Sequence, residues 1–168
     1  MTDFITRILC KLGFALDIRI GTEFPVIVLC NTYPKPFVLD GVRCGSVEGF
    51  LQAIKLPDHE QQVRVCSLSG LEAKNESTSL WKKTQMVYWD GKEYNRQGLE
   101  FQKLLRRVYR ACYDQNELFR SALAATGHKR LVHLVGKCDP RETILTRDEM
   151  CDILTELRSS RISEQNAK

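Results

Sequence analysis

The sequence predicts an α+β fold, mainly helical, built as one domain with a small sheet. Three observations carry this. Segments with strand patterning and segments with helical patterning are mixed, without the regular alternation that a doubly wound parallel sheet requires. No internal repeat and no Pro/Gly/Ser-rich linker divides the chain. At 168 residues, the chain has the length of one ordinary domain and buries roughly 68–70% of the surface its unfolded form exposes. The domain is expected over residues 1–158, and residues 159–168 read as a polar, disordered tail.

The elements follow from local chemistry. Thr2 caps a short helix carrying Phe4, Ile5, Ile8, Leu9 and Leu12, which Gly13 stops. Residues 14–20 and 24–29 are short apolar or alternating runs separated by Gly21-Thr22-Glu23, and both read as strands. Pro34 and Pro36 force residues 31–37 into loop or extended chain. Asp40-Gly41 is a turn. Ser46 opens a helix that Pro57 ends, a second helical segment covers 61–74, and 75–83 is polar and irregular. The longest helix is expected over 98–113. Asp114 and Glu117 resemble a capping box for the next helix, closed by Gly127, and 130–135 is a strand. Thr146 and Glu149 cap the last helix, whose core face is Met150, Ile153, Leu154 and Leu157.

Composition narrows the function. Hydrophobic residues at 43% and charged residues at 27% describe an ordinary globular chain. Lys11, Asp17, Arg19 and Glu23 interrupt the most apolar region, so no membrane span is expected, and no signal-peptide cleavage site follows the first apolar run. A soluble, cytoplasmic protein is the expectation. The seven cysteines are odd in number and form no C-x-x-C pair, and His59, His128 and His133 stand near no cysteine cluster. Reduced thiols are therefore expected, with no metal and no cofactor. The net charge of +4 permits an anionic partner without demanding one.

Two helix faces carry concentrated charge. At about 100° per residue, Glu48, Gln52 and Lys55 share one face, opposite Phe50, Ala53 and Ile54. This polar face follows the proline-stiffened loop 31–37, and a rigid loop beside a polar helix face is a candidate pocket. A solvated surface stripe is the bland alternative. Lys103, Arg106, Arg107 and Arg110 form a second, basic stripe, either a solvated face or a phosphate contact. His133 alternates with apolar neighbours and ranks below Asp139 as a site residue.

Leu29-Cys-Asn31-Thr-Tyr33-Pro-Lys-Pro-Phe37, then Gly41-Val42, Ser46-Val-Glu48 and Gln52-Ala-Ile-Lys55, resemble the opening motifs of the NADAR (YbiA-like) family. Gln115-Asn116, Leu123-Ala-Ala-Thr126-Gly127 and Leu131-Val132 are similar to its second half, so the resemblance spans residues 28–153. It implies a hydrolase of N-glycosidic bonds at ribose C1′. The implied substrates are ADP-ribose on guanine, in nucleic acid or nucleotide, or a ribosylamino-pyrimidine phosphate of riboflavin synthesis. The partner is thus a ribosyl or ADP-ribosyl small molecule, or ADP-ribosylated DNA or RNA. Many members carry Asp-x-x-Trp-Gly near the C-terminus. Here Asp139 stands at the Asp, the Trp-Gly is absent, and Thr143 falls within the corresponding stretch.

On this resemblance Glu48, Lys55 and Asp139 are the catalytic candidates. Asn31, Tyr33, Phe37, Gln52, Trp89 and Thr143 are the substrate-binding ones. Glu48 serves as acid-base or electrostatic partner to an oxocarbenium-like state. Lys55 either forms a Schiff base with C1′ of an opened sugar or contacts phosphate or hydroxyl groups. Asp139 orients the water or the leaving base. Trp89 is either a stacking platform or a large core residue. The rival readings are an ADP-ribose-binding module without turnover and, on the basic stripe alone, a small nucleic-acid-binding protein.

Overall fold

In the computed structural model, which describes residues 3–76 and 78–166, side chains between 161 and 166 excepted, the elements wrap around one apolar core. Helix α1 (Asp3–Lys11) leads into β1 (Ala15–Asp17), and Gly13 ends the helix with φ at 78°. The Thr2 cap lies outside the described residues. β1 pairs in parallel with β6 (Arg130–Val132), so the two ends of the domain are hydrogen-bonded directly, Leu16 opposite Leu131.

Residues 24–29, expected as a strand, instead contain the one-turn helix α2 (Val26–Leu29). A short continuous apolar run has no period that separates strand from helix. The Asp40-Gly41 turn holds as expected, with both residues at positive φ, and joins β2 (Phe37–Leu39) to β3 (Val42–Cys44). Positive φ at both central residues is the geometry that matches the twist of a two-residue hairpin. Ser46 caps α3 (Val47–Ala53), its hydroxyl accepting from the Gly49 amide at 3.0 Å.

The expected helix over 61–74 is two helices, α4 (His59–Cys66), capped by Asp58, and α5 (Gly70–Asn75), because Gly70 takes a φ of 59°. A further turn, α6 (Trp81–Thr84), lies inside the segment read as irregular. A hairpin that the sequence reading did not assign follows: β4 (Met86–Trp89) and β5 (Lys92–Asn95), turned by Asp90-Gly91.

Helix α7 (Leu99–Gln115) buries Phe101, Leu104, Leu105, Val108, Tyr109, Cys112 and Tyr113 along one side. Helix α8 (Glu117–Ala125) is capped by Asn116, whose side chain accepts from the Phe119 amide, and not by Asp114. At α9 (Arg147–Asn166) the capping box is complete: the Thr146 hydroxyl accepts from the Glu149 amide at 3.2 Å, and the Glu149 carboxylate accepts from the Thr146 amide at 2.7 Å. Its expected core face, Met150, Ile153, Leu154 and Leu157, is buried. The backbone stays helical through Asn166, so most of the segment expected as a disordered tail continues α9, and residues 167–168 lie outside the described part.

The small sheet of the sequence reading resolves into three separate two-stranded ladders: β1–β6, β2–β3 and β4–β5. No helix among the described residues is long and apolar enough to cross a membrane. All seven cysteines are free, and Cys30, Cys44, Cys66 and Cys112 are buried.

Candidate active site

The polar face of α3 forms the floor of a cleft. Gln52 is 5% exposed and Lys55 8%, yet both line a cavity of about 470 Å³ together with Asn31, Glu48 and Thr143. A second lobe of about 440 Å³ shares Asn31, Glu48, Lys74 and His133 with the first. The face expected from helical spacing therefore lines a cleft and is not a solvated stripe.

Its three polar groups form a chain. The Lys55 amine donates to the Gln52 side-chain oxygen at 2.6 Å, and the Gln52 amide donates to a Glu48 carboxylate oxygen at 2.7 Å. Gln52 thus stands between amine and carboxylate. Burial pushes the Lys55 amine down to about 8; the nearby charge of Glu48 opposes the fall and that of Lys82 adds to it. A lysine so placed has an appreciable unprotonated fraction near neutral pH, the condition for a nucleophile.

The loop before α3 is braced from beneath. Lys35, 1% exposed, donates to the carbonyls of Val28 at 2.9 Å and Cys30 at 2.5 Å, satisfying the C-terminal end of α2. Its amine lies 5.2 Å from the Phe119 ring centre, and burial lowers it to about 8. The prolines stiffen this loop, and Lys35, which no sequence pattern marks, braces it. Asn31, held above this brace, accepts from the Tyr109 hydroxyl at 2.6 Å, and its carbonyl accepts from the Glu48 amide at 3.0 Å. Burial raises the Tyr109 hydroxyl well above its ordinary range, so it stays a proton donor to Asn31.

The opposite wall is the segment between β6 and α9. Arg96, fully buried, donates to the Thr143 carbonyl at 2.9 Å and grips Glu149 with two bonds of 3.0 and 2.7 Å. Burial opposes ionisation of Glu149, but Arg96, the Thr146 amide and Gln102 together hold its carboxyl below the usual value. Lys82 and Glu142 close the rim with a 2.8 Å ion pair.

Other candidates fall elsewhere. Asp139 stands outside the cleft, 43% exposed at its side chain, paired with Arg141 at 3.1 Å in a surface turn. Phe37 is core. Tyr33 packs against the core beside Lys35 and does not line the cleft. Trp89 is 1% exposed, edge-on to Phe50 at 4.8 Å, and its indole donates to Asp40 at 2.8 Å. It is the core residue of the two alternatives, not a stacking platform. The basic stripe of α7 is neutralised: Lys103, Arg106, Arg107 and Arg110 pair with Glu100, Glu156, Asp40 and Asp114.

The structure adds Lys74, Lys82, Glu142 and Thr146 to the lining, and it moves His133 ahead of Asp139. No periodic signal marked Lys74 or Lys82, whereas Thr146 was already visible as a cap. A cavity of about 620 Å³ between α1, β6 and α9 also borders His133.

The α+β fold is NADAR-like. A solved structure of the Escherichia coli protein YbiA superposes with a TM-score of 0.60 over 94% of each chain, at 16% identity. The chain belongs to the bacteriophage protein GP30.3 family, which matches residues 23–159. A relative from Enterobacteria phage T4, described as an uncharacterized 17.1 kDa protein in the Gp30-rIII intergenic region, is 36% identical over 148 residues. That match covers 86% of this chain and 97% of the relative.

Proposed function

We propose that the cleft hydrolyses an N-glycosidic bond at ribose C1′. The substrate is ADP-ribose joined to guanine, in nucleic acid or nucleotide, or a ribosylamino-pyrimidine phosphate. The observation that carries this reading is the Lys55–Gln52–Glu48 chain on the floor of the cleft. The NADAR-like fold supports it.

In the proposed reaction the neutral Lys55 amine attacks C1′ of the ring-opened sugar. The Glu48 carboxylate takes the proton that the attacking amine sheds and passes it to the departing base nitrogen as the C1′–N bond breaks. Water then hydrolyses the lysine–C1′ Schiff base, releasing the sugar and restoring the amine. Gln52 bridges the two groups, accepting from the amine and donating to the carboxylate. Asn31, prearranged by Tyr109, offers its side-chain amide to the sugar or base.

Mass spectrometry of products from a guanine-ADP-ribosylated oligonucleotide and a ribosylamino-pyrimidine phosphate tests the reading. Release of ADP-ribose or of ribose 5-phosphate identifies the substrate class. Turnover near wild type in both Glu48→Gln and Lys55→Ala refutes the assignment. Borohydride trapping of a sugar on Lys55 separates the Schiff-base role from a simple contact.

One observation favours a second reading, a module that binds ADP-ribose without cleaving it. Asp139 stands outside the cleft and the Trp-Gly of the family motif is absent. Binding of both substrates without product supports that reading.

A further inference from the structure

His133 is the one histidine that borders the cleft; His59 and His128 are exposed on other surfaces. Its ring is held on several sides. Nδ1 lies 2.5 Å from the carbonyl oxygen of Ile18. A carbonyl only accepts, so Nδ1 carries the proton and Nε2 of the neutral ring is left as an acceptor. The strand beneath is clamped on either side: the Ile18 amide donates to the Val132 carbonyl at 2.8 Å, and the Leu134 amide donates to Asp17 at 2.9 Å.

Gly136 closes against the ring. A Cβ there would meet the His133 Cδ2 at 2.4 Å, so no other residue leaves the imidazole in place. Nε2 bonds no described residue, and among the described residues no buried side-chain nitrogen or oxygen lacks a partner. Nε2 therefore opens to solvent. It lies beside Gly136, and His133 and Gly136 both line the cleft.

We propose that His133 is a further substrate-contacting residue, whose Nε2 accepts a hydrogen bond from a hydroxyl of the ribose that the cleft receives. The inference rests on the ribosyl reading above and assigns a part of the site which that reading left blank. A tautomer fixed by the Ile18 carbonyl is selective: it welcomes a hydroxyl donor and offers nothing to a bare acceptor.

Two measurements test it. Long-range proton–nitrogen NMR of the three histidines, with His133 identified by its variants, is expected to show the neutral His133 protonated at Nδ1. Calorimetric titration with ADP-ribose then compares wild type, His133→Asn and His133→Gln. The shorter amide can still donate to the Ile18 carbonyl but removes Nε2; the longer one keeps a side-chain oxygen within its reach. His133→Asn is expected to bind about tenfold more weakly, the worth of one hydrogen bond, and His133→Gln to stay within about threefold of wild type.

Equal affinity in all three proteins overturns the role of His133 and leaves the ribosyl reading standing. A neutral ring protonated at Nε2 overturns the proposal whatever binds. Failure of wild type to bind ADP-ribose, with the tautomer as expected, sinks the ADP-ribosyl form of that reading and this proposal with it.

Discussion

Replacing Lys55 by Met changes the pH dependence of stability in a way that only a desolvated amine produces. Lys55 titrates near 10.5 in the unfolded chain and at about 8 in the folded one. The folded value is the lower, so the unfolded chain binds more protons between them, and wild-type stability rises with pH across that window. The penalty for burying the ammonium is full below pH 8 and is lifted as pH climbs through 10.5. At 1.36 kcal/mol per pH unit the whole effect is about 3.4 kcal/mol, of which about 2.4 kcal/mol falls between pH 7.5 and 10.

Urea unfolding of wild type and Lys55→Met at intervals across that range gives the difference directly, and the thiols and tyrosines common to both proteins cancel. The variant also leaves the Gln52 oxygen without its lysine donor, at a cost of about 1–3 kcal/mol that does not vary over this range. Wild type is expected to gain about 2.4 kcal/mol on the variant from pH 7.5 to 10. A difference that stays flat refutes the desolvated amine, and with it the physical basis for a nucleophilic Lys55.

Arg96→Met strands the Glu149 carboxylate half-buried, and a loss of about 3–5 kcal/mol is expected in the same unfolding assay. Trp89→Phe breaks the bond to Asp40 and lowers stability by about 1–3 kcal/mol; ADP-ribose affinity by calorimetry is expected to stay unchanged, because Trp89 lies in the core. Ser46→Ala removes the cap of α3 and costs about 0.5–2 kcal/mol, read by thermal or urea unfolding. Because every cation of the α7 stripe is paired, affinity for unmodified duplex DNA is expected to be weak, with a salt slope well short of the four phosphate contacts the stripe would otherwise make.

The parts of the fold that could be read in advance are those where one local signal decides. Thr146 with Glu149, Ser46, Gly13 and Asp40-Gly41 each act within a few residues, and each forms as expected. Residues 24–29 could not be told apart from a strand, since a continuous apolar run carries no periodicity. Asp114 and Asn116 are both good caps by residue type, and it is Asn116 that accepts from the Phe119 amide. The helix face of the site was legible because Glu48, Gln52 and Lys55 obey the helical period. The far wall was not: Glu142, Thr143 and Thr146 reach the cleft through Arg96 and Glu149, which are separated by about fifty residues in sequence, a pairing no local spacing announces. His133 was undervalued for the same reason, as its partner Ile18 lies 115 residues away.

At Gly45 and Gly49 the start of α3 meets main chain. A Cβ at Gly49 would lie 2.5 Å from the Leu68 carbonyl oxygen and 2.6 Å from that of Cys66; one at Gly45 would lie 2.3 Å from the Ser67 carbonyl oxygen. Backbone seated on backbone leaves no rotamer to adjust, so the azimuth of the helix about its own axis is set before any side chain is chosen. A sequence drifting under selection can exchange every residue on the polar face without turning that face away from the cleft. The chemistry that α3 presents to the cleft is therefore free to change one side chain at a time, while the direction in which the helix looks stays constant.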